Sequence, residues 1–165
     1  RMPFVIKYPG FIKPRTSNKD IITNIDFAPT ILDMLGLQSP KSVQGKSFFS
    51  NLIESENKNW RQSMYYHYYE YPFYHHVQPH YGIRNERFKL IHFYYDMDEW
   101  ELYDLKKDPN ELNNIYISKK ESKLVSKLKS ELYSLKNYYG NNLNYDEMRA
   151  ISDTDFGGLE SKKTK

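Results

Sequence analysis

The sequence predicts a fold of the α/β class, namely the C-terminal end of an α/β layer followed by a small α+β subdomain. Strand, loop and helix patterns follow one another in residues 1–55, as in one crossover of an α/β layer. Runs of alternating aromatic and β-branched residues, separated by short turns, then occur between residues 80 and 105. Leucines repeat at helical spacing over residues 119–139. These patterns predict an antiparallel sheet packed by one long helix.

Residues 1–55 are predicted to be the incomplete C-terminal end of an α/β domain. Phe4–Tyr8 is almost continuously apolar and ends at a Pro-Gly pair, which predicts a strand buried on both faces. The run FAPTILDMLG has apolar residues at helical spacing, with Asp26 as the predicted N-cap and Gly36 as the stop after the helix. One strand and one helix cannot close a layer, so we expect a larger domain to complete it.

Residues 56–140 are predicted to form a separate subdomain. The runs 80–84 and 87–94 are separated by only Asn85 and Glu86, which is typical of a tight hairpin. Residues 100–105 alternate as the next antiparallel strand. The hairpin and this strand give the subdomain its sheet.

The surest predicted element is a helix over residues 119–139, which ends at Gly140. Its apolar residues recur at intervals of three or four and form one stripe, which predicts packing on the sheet; they are Leu124, Leu128, Leu132, Leu135 and Tyr139. Residues 141–165 are polar, and we expect them to be a loosely attached tail.

Composition excludes several classes of function. The net charge of +3 is mild and spread out, so no nucleic-acid partner is expected. No apolar run approaches the roughly 18 residues that a membrane span needs. The absence of cysteine excludes disulfides, thiolate zinc sites and a cysteine nucleophile within these residues. Because the chain begins at Arg1 without a Met, we expect it to be a piece of a longer protein, and its compartment stays open.

The stretch from Tyr65 to Tyr94 is the first place to look for function. It contains all 5 histidines of the chain and many of its 16 tyrosines. A proline-containing loop in this stretch carries several histidines and tyrosines and one carboxylate, Glu70. Solvent-facing loops rarely carry this many aromatic residues without a ligand, so we expect ligand contacts in this stretch.

Several strings of the sequence carry a family resemblance. They are, in chain order, RMPFVIKYPG, SNKDIITNIDFAPTILDMLGL, QGKSF, HYGIRNERFKLIHFY and WELYDLKKDPNELNN, within residues 1–140. Together they resemble the C-terminal third of the type I sulfatases, the formylglycine-dependent sulfatases of the alkaline phosphatase superfamily. The strand and DFAPT helix also occur in related phosphodiesterases and phosphonate hydrolases. The combination with HYGIR and LYDL is most similar to the sulfatases that act on sulfated carbohydrates such as glycosaminoglycans.

The resemblance implies a large N-terminal α/β domain and a smaller C-terminal subdomain of about four antiparallel strands and a long helix. It implies hydrolysis of a sulfate ester or sulfamate, in which a formylglycine hydrate attacks sulfur and a Ca²⁺ ion polarises the sulfate oxygens. Family members are usually exported, to the periplasm or outside the cell, or lysosomal, whereas this sequence leaves the compartment unknown.

The nucleophile motif of the family is Cys or Ser, any residue, Pro or Ala, any residue, Arg. This chain has no Cys, and none of its serines begins that pattern. We therefore expect it to hold neither the nucleophile nor the Ca²⁺ site of the full-length enzyme. Its expected partners are a sulfated carbohydrate and the missing N-terminal part of the same chain, with no nucleic acid and no membrane.

The resemblance places the substrate-binding candidates near the start of the HYGIR string. His80 can bond a sugar hydroxyl, or a sulfate or carboxylate when protonated, and His76 would be a second arm of the same contact. Arg84 suits bidentate recognition of an anionic sugar. Tyr81 and Tyr74 are candidates for stacking on a sugar face. The competing interpretations are a His80 bonded to a neighbouring backbone carbonyl, an Arg84 paired with a surface carboxylate, and tyrosines that only pack.

Other polar residues are weaker candidates. Arg1 would lie near the active site of the family but stands at a cut terminus. His92 alternates onto the face of Phe88 and Leu90, so we expect a core or interface histidine. A dedicated metal site among the histidines is not expected, since only one carboxylate and no Cys lie nearby. The remaining weaker candidates are His67, His75, Glu70 and Arg87.

Two rival functions remain open. One is another hydrolase of the same superfamily, a phosphodiesterase or phosphonate hydrolase, which the identity of the upstream nucleophile would distinguish. The other is a sulfated-glycan-binding β module without catalysis, which should fold alone. The apolar run at Phe4–Tyr8 argues against this second rival, because an isolated module would expose it.

Overall fold

A computed structural model describes residues 4–53, 59–71 and 75–156, except the side chains of residues 155 and 156. The chain divides into two compact units, Arg1–Gln62 and Ser63–Lys165, so the predicted boundary at residue 55 lies inside the first unit. The reason is local packing. The indole of Trp60 donates to Ile21 O at 2.8 Å, and Arg61 pairs with Asp26 at 2.7 Å.

The first unit contains the predicted helix. A short 3-10 turn at Asn24–Asp26 leads into α1, Phe27–Met34, and α2 follows at Phe49–Ile53. Asp26 stands at the predicted N-cap position but makes no side-chain cap bond to α1. Its carboxylate turns back and accepts from the backbone and side chain of Thr23 instead. Gly36 follows α1 with φ +70°, a left-handed conformation that favours glycine. This agrees with the prediction that the helix ends before Gly36.

Phe4–Tyr8 is not a strand in the described structure, and a buried strand there, in a sheet completed by a larger domain, stays a prediction. A strand requires a hydrogen-bonded neighbour, and the strands described in residues 4–53, 59–71 and 75–156 pair only within the second unit. The Phe4 ring contacts Phe27 and Phe48, with centroids 5.0 and 5.9 Å away, whereas Val5 is 92% exposed. The apolar run thus packs through one side chain and leaves its neighbour in solvent.

The second unit is built on a four-stranded antiparallel sheet of order β1-β2-β3-β4. The strands are β1 at Ser63–Tyr68, β2 at His80–Asn85, β3 at Phe88–Phe93 and β4 at Glu99–Asp104. The predicted hairpin is β2–β3, and the predicted third strand is β4. The sequence analysis did not predict β1, because its tyrosines and histidine show no alternation of apolar and polar residues.

Helices cover one face of this sheet. They are α3 at Tyr116–Lys119, α4 at Lys123–Tyr138 and α5 at Tyr145–Ile151, which continues into a π-helical turn at Ser152–Phe156. The predicted helix 119–139 corresponds to α4, which begins four residues later than predicted, and α3 precedes it. The Ser122 hydroxyl accepts from Val125 N at 3.3 Å and begins α4 as its N-cap. No described helix is both long enough and apolar enough to cross a membrane.

The prediction of a loosely attached tail after residue 140 is wrong for residues 145–151. Asn144 and Glu147 form a capping box that begins α5, with bonds of 2.8 and 3.0 Å. Met148 is fully buried in the core between α4 and the sheet. Met148 is directly flanked by Glu147 and Arg149, and the apolar spacing of Tyr145, Met148 and Ile151 covers too few residues for the sequence to predict a helix.

The strands present two different faces. The face that α4 covers contributes the main core, made of Tyr81, Ile83, Leu90, Tyr94, Leu102, Val125, Leu128 and Leu132. The opposite face, here called the distal face, carries alternate residues such as His80, Gly82 and Arg84 of β2. A smaller apolar cluster around Ile91 and Tyr103 lies on it. The distal face is therefore part apolar and part polar.

Candidate functional site

The candidate site lies at one end of the sheet. His80 begins β2 and is paired with Tyr68 at the end of β1 and with Phe93 at the end of β3. The β1–β2 connection, residues 69–79, and the β3–β4 connection, residues 94–98, therefore leave the sheet at the same end. The strand order therefore places the histidine-rich loop beside the β3–β4 connection, which contains Asp96 and Asp98.

His80 is held tightly on the distal face. Its Nδ1 lies 2.8 Å from Gln78 O. The ring stacks on Tyr68 at 5.4 Å and contacts Tyr66 and Phe93, at 5.9 and 5.0 Å between centroids. Burial lowers the pKa of His80 below its usual value, so the neutral ring is favoured. Nδ1 of His80 thus bonds a neighbouring backbone carbonyl, as the competing interpretation proposed. No described residue bonds Nε2.

Arg84 lies on the same face of β2 as His80, four residues further along the strand. It is half-buried, and the ion pairs among the described residues do not include it. Its guanidinium influences the nearby Tyr66, where burial raises the pKa of the phenol and the positive charge of Arg84 opposes that rise. Arg87, at the other side of the hairpin turn, pairs with Asp104 at 3.0 Å.

Gly82 makes room between His80 and Arg84. A Cβ there would stand 2.6 Å from the Tyr66 hydroxyl oxygen and 2.5 Å from Leu90 O, both closer than real contacts allow. The Tyr66 ring therefore lies over the β2 backbone. Its hydroxyl is buried and has no hydrogen-bond partner in the described part of the chain.

The loop histidines lie in a different environment from His80. His75 and His76 are exposed, and His75 Nε2 lies 4.0 Å from Glu70 Oε2. The side chain of His76 is therefore accessible to a ligand. Tyr74 and Arg1 lie outside the described residues.

Tyr81 does not belong to this site. It is 1% exposed and points into the core under α4, and its hydroxyl lies 2.9 Å from His92 Nδ1. Strand alternation places it on the face opposite His80, which is the reason that a substrate contact through Tyr81 is not supported. His92 is a core histidine as expected, 1% exposed and bonded through Nε2 to Asp98 at 2.6 Å.

His67 belongs to a buried polar network on the helix-covered face. Its Nε2 lies 2.8 Å from the Tyr94 hydroxyl, and its Nδ1 lies 2.8 Å from Asn141 Nδ2. Burial lowers the pKa of His67 to about 3, and the positive charge of Lys136 adds to the effect. The imidazole is thus neutral and structural, and it ties β1 to the segment that links α4 and α5.

We expect acid to destabilise this unit through His67. The unfolded chain takes up a proton near the reference pKa of 6.5, whereas the folded chain resists it down to about 3, so stability is full above pH 6.5 and falls below it. The loss should be at most about 1.4 kcal/mol per pH unit. Urea unfolding of the full-length protein at pH 7.5 and 5.0 measures it. A His67→Phe variant should lose less on acidification, and equal losses in both proteins would contradict the prediction.

Sequence reasoning missed the residues that hold the loop. Gln78 Nε2 donates to Asp96 Oδ2 at 3.0 Å, and Asp96 N donates back to Gln78 Oε1 at 3.4 Å. The Tyr71 hydroxyl also donates to Asp96 Oδ2, at 3.4 Å. Because these residues lie 18 or more positions apart, no motif spacing signals them. They become visible only when the strand order is known.

Calcium, which the family resemblance implies, does not fit the distal face. Ca²⁺ takes carboxylate and carbonyl oxygens, whereas His80 and Arg84 offer nitrogen, and the nearby Glu111 carboxylate is paired with Lys89. No group of three or more metal-ligating side chains occurs in residues 4–53, 59–71 and 75–156. The face instead suits an uncharged or anionic polar ligand.

Comparisons with known proteins agree with this architecture. A family model for "N-sulphoglucosamine sulphohydrolase, C-terminal" matches residues 1–138. An N-acetylglucosamine-6-O-sulfatase of Bacteroides thetaiotaomicron is 50% identical over 135 residues, which cover 78% of this chain and 24% of the relative. The chain thus spans about a quarter of the length of that curated relative.

Solved structures are also similar. A protein in complex with its substrate D-glucosamine-2-N,6-O-disulfate matches with a TM-score of 0.81 at 43% identity, over 86% of this chain and 29% of that one. A phosphonate monoester hydrolase of Agrobacterium radiobacter matches with a TM-score of 0.52 at 25% identity, over 72% of this chain and 25% of that one.

Proposed function

Because the chain belongs to the family of N-sulphoglucosamine sulphohydrolase C-terminal domains and corresponds to the C-terminal portion of sulfatases, we propose that it completes an enzyme that hydrolyses sulfate esters or sulfamates of a carbohydrate. Its own part would be substrate recognition. The nucleophile and the Ca²⁺ ion would belong to the part of the enzyme that these residues do not include.

One observation carries the proposal. His80 and Arg84 stand on one face of a single strand, and neither has all its polar atoms bonded by the described residues. The guanidinium presents a planar set of donors that fits a sulfate or carboxylate. The exposed His76 lies on the loop that enters the same strand, so it can contact the same ligand.

The substrate class that we propose is a sulfated glucosamine. Support comes from the relative named N-acetylglucosamine-6-O-sulfatase and from the similar structure that holds a glucosamine disulfate. A phosphonate hydrolase is the second candidate, since this fold also resembles one. The higher TM-score and identity of the glucosamine disulfate complex favour the sulfatase.

The test is hydrolysis by the full-length enzyme of a 6-O-sulfated or N-sulfated glucosamine, a small aryl sulfate and a phenyl phosphonate ester. We expect turnover of the sulfated sugar and the aryl sulfate. Turnover of the phosphonate ester with no release of sulfate would overturn the proposal.

Arg84 gives a sharper prediction. Replacing it with Ala should reduce kcat/KM on the sulfated sugar about 10- to 100-fold, since a charge-assisted pair contributes about 1.5–3 kcal/mol. The loss on the small aryl sulfate should be at least tenfold smaller, because that substrate lacks the rest of the sugar. Arg87→Ala, at the exposed pair with Asp104, is the matched control. Equal losses on both substrates would contradict a role in recognition.

A further inference from the structure

The hydrogen bond to Gln78 fixes which ring nitrogen of His80 carries the proton. A backbone carbonyl oxygen can only accept, so the ring nitrogen at 2.8 Å, Nδ1, must donate. In the neutral imidazole the other nitrogen, Nε2, is then a lone-pair acceptor. No hydrogen-bond partner for Nε2 lies among residues 4–53, 59–71 and 75–156.

The carbonyl that sets this tautomer is itself held in place. The side chain of Gln78 exchanges bonds with Asp96 in both directions, at 3.0 and 3.4 Å. The next residue, Pro79, accepts from Tyr94 N at 3.3 Å. The backbone before His80 is therefore tied to the β3–β4 connection on both sides of the peptide that follows Gln78.

The surroundings of His80 favour the neutral ring. Burial is the main cause that lowers its pKa, and Lys89 on β3 adds to it. Glu101 on β4 and the bond to Gln78 oppose the shift without reversing it. The other titratable groups around the ring are the phenols of Tyr66 and Tyr68, with Arg84 further along β2 and His67 on the other face of β1.

We propose that His80 is an acceptor-only contact, whose Nε2 accepts a hydrogen bond from a hydroxyl or N–H group of the sugar and does not bind its sulfate. Sulfate and carboxylate oxygens have no proton to donate, so they cannot satisfy a lone pair. This inference rests on the proposed function and adds to it the chemical group that His80 selects. Gln78 and Asp96 are its positioning residues.

The first experiment reads the tautomer directly. Two-bond ¹H–¹⁵N NMR spectra of the full-length enzyme labelled with ¹⁵N-histidine at pH 7.5 show which nitrogen is protonated, and a His80→Gln variant assigns the signal. We expect the proton on Nδ1. A proton on Nε2, or on both nitrogens, would overturn the inference. The outcome does not depend on enzyme activity, so it can fail or succeed apart from the proposed function.

The second experiment identifies the group that is bound. Each free hydroxyl of the sulfated sugar, and its 2-amino group, is replaced in turn by fluorine, which cannot donate a hydrogen bond. One replacement should reduce kcat/KM of the wild type at least tenfold, and the same replacement should have less than a threefold effect in His80→Phe. A loss that is the same in both proteins for every analogue would overturn the inference.

The role of Asp96 is tested by rescue. Asp96→Ala should raise KM for the sulfated sugar about tenfold, whereas Asp96→Asn, whose amide oxygen can still accept from Gln78, should restore most of the loss. If Asn and Ala behave alike, Asp96 does not position His80. If the wild type hydrolyses no sulfate ester, the proposed function fails, and the NMR experiment alone decides the state of His80.

Discussion

Replacing Arg61 with Met is expected to destabilise the first unit by about 3–5 kcal/mol, because it leaves a buried carboxylate without its counter-charge. Asp26 is fully buried, and Arg61 bonds both of its oxygens at 2.7 Å. Other donors to this carboxylate in the described part of the chain include the backbone and hydroxyl of Thr23 and the backbone N–H of Lys46. They are dipoles, and they cannot neutralise a charge that water does not reach.

The measurement is the thermal or urea unfolding transition of the full-length protein. Arg87→Met is the matched control, since it removes an arginine from a pair in which the guanidinium side chain is 51% exposed. We expect only a small shift there, because exposed pairs contribute little. If Arg61→Met and Arg87→Met shift the transition equally, the Arg61–Asp26 pair does not have the importance that its burial indicates.

Replacing Met148 with Ala is expected to destabilise the second unit by about 2–5 kcal/mol. Its side chain is fully buried in the core shared by α4 and the sheet. Truncation leaves a cavity that rigid neighbours such as Leu132, also fully buried, cannot fill. The size of the loss would show that α5 is part of the folded unit.

The control for Met148 is a substitution that conserves volume. Met148→Leu should cost less than about 1.5 kcal/mol, because it keeps an apolar side chain of similar size in the same place. Both variants are compared by urea unfolding and by limited proteolysis after α4. If Met148→Ala unfolds like the wild type, residues after 140 behave as the tail that the sequence predicted.

The hairpin, the strand at 99–104 and the helix stripe were predictable because each is encoded by local signals. Asn85 and Glu86 interrupt two β-rich runs, and Leu124 to Leu135 keep one helical period. β1 was not predicted, because its tyrosines lie on both faces of the strand and its residues do not alternate between apolar and polar. The strand predicted at Phe4–Tyr8 is absent from the described structure, because a strand depends on a hydrogen-bonded partner, which a local pattern does not contain.

The roles of His80 and Arg84 in the candidate site stay predictions. The family resemblance pointed to these two residues, and the structure places both on one face of β2. Tyr81 was assigned to the same site although alternation of strand faces turns it into the core. The bonds from Gln78 to Asp96 join different connections of the sheet, and such a contact exists only once the order of the strands brings the two connections together.

The sheet order has a consequence for how this region can change in evolution. Each of the four described strands pairs only with its neighbours in the sequence, and the β1–β2 connection starts and ends at the same end of the sheet. A loop of this kind can lengthen or shorten at a small entropic cost, since each doubling adds only about 0.6 kcal/mol, and strand register is unaffected. The part of this connection before Gln78 can thus change in length and sequence, whereas Gln78 itself is held by Asp96. Substrate preference can diversify there while the helices and strands behind it stay the same.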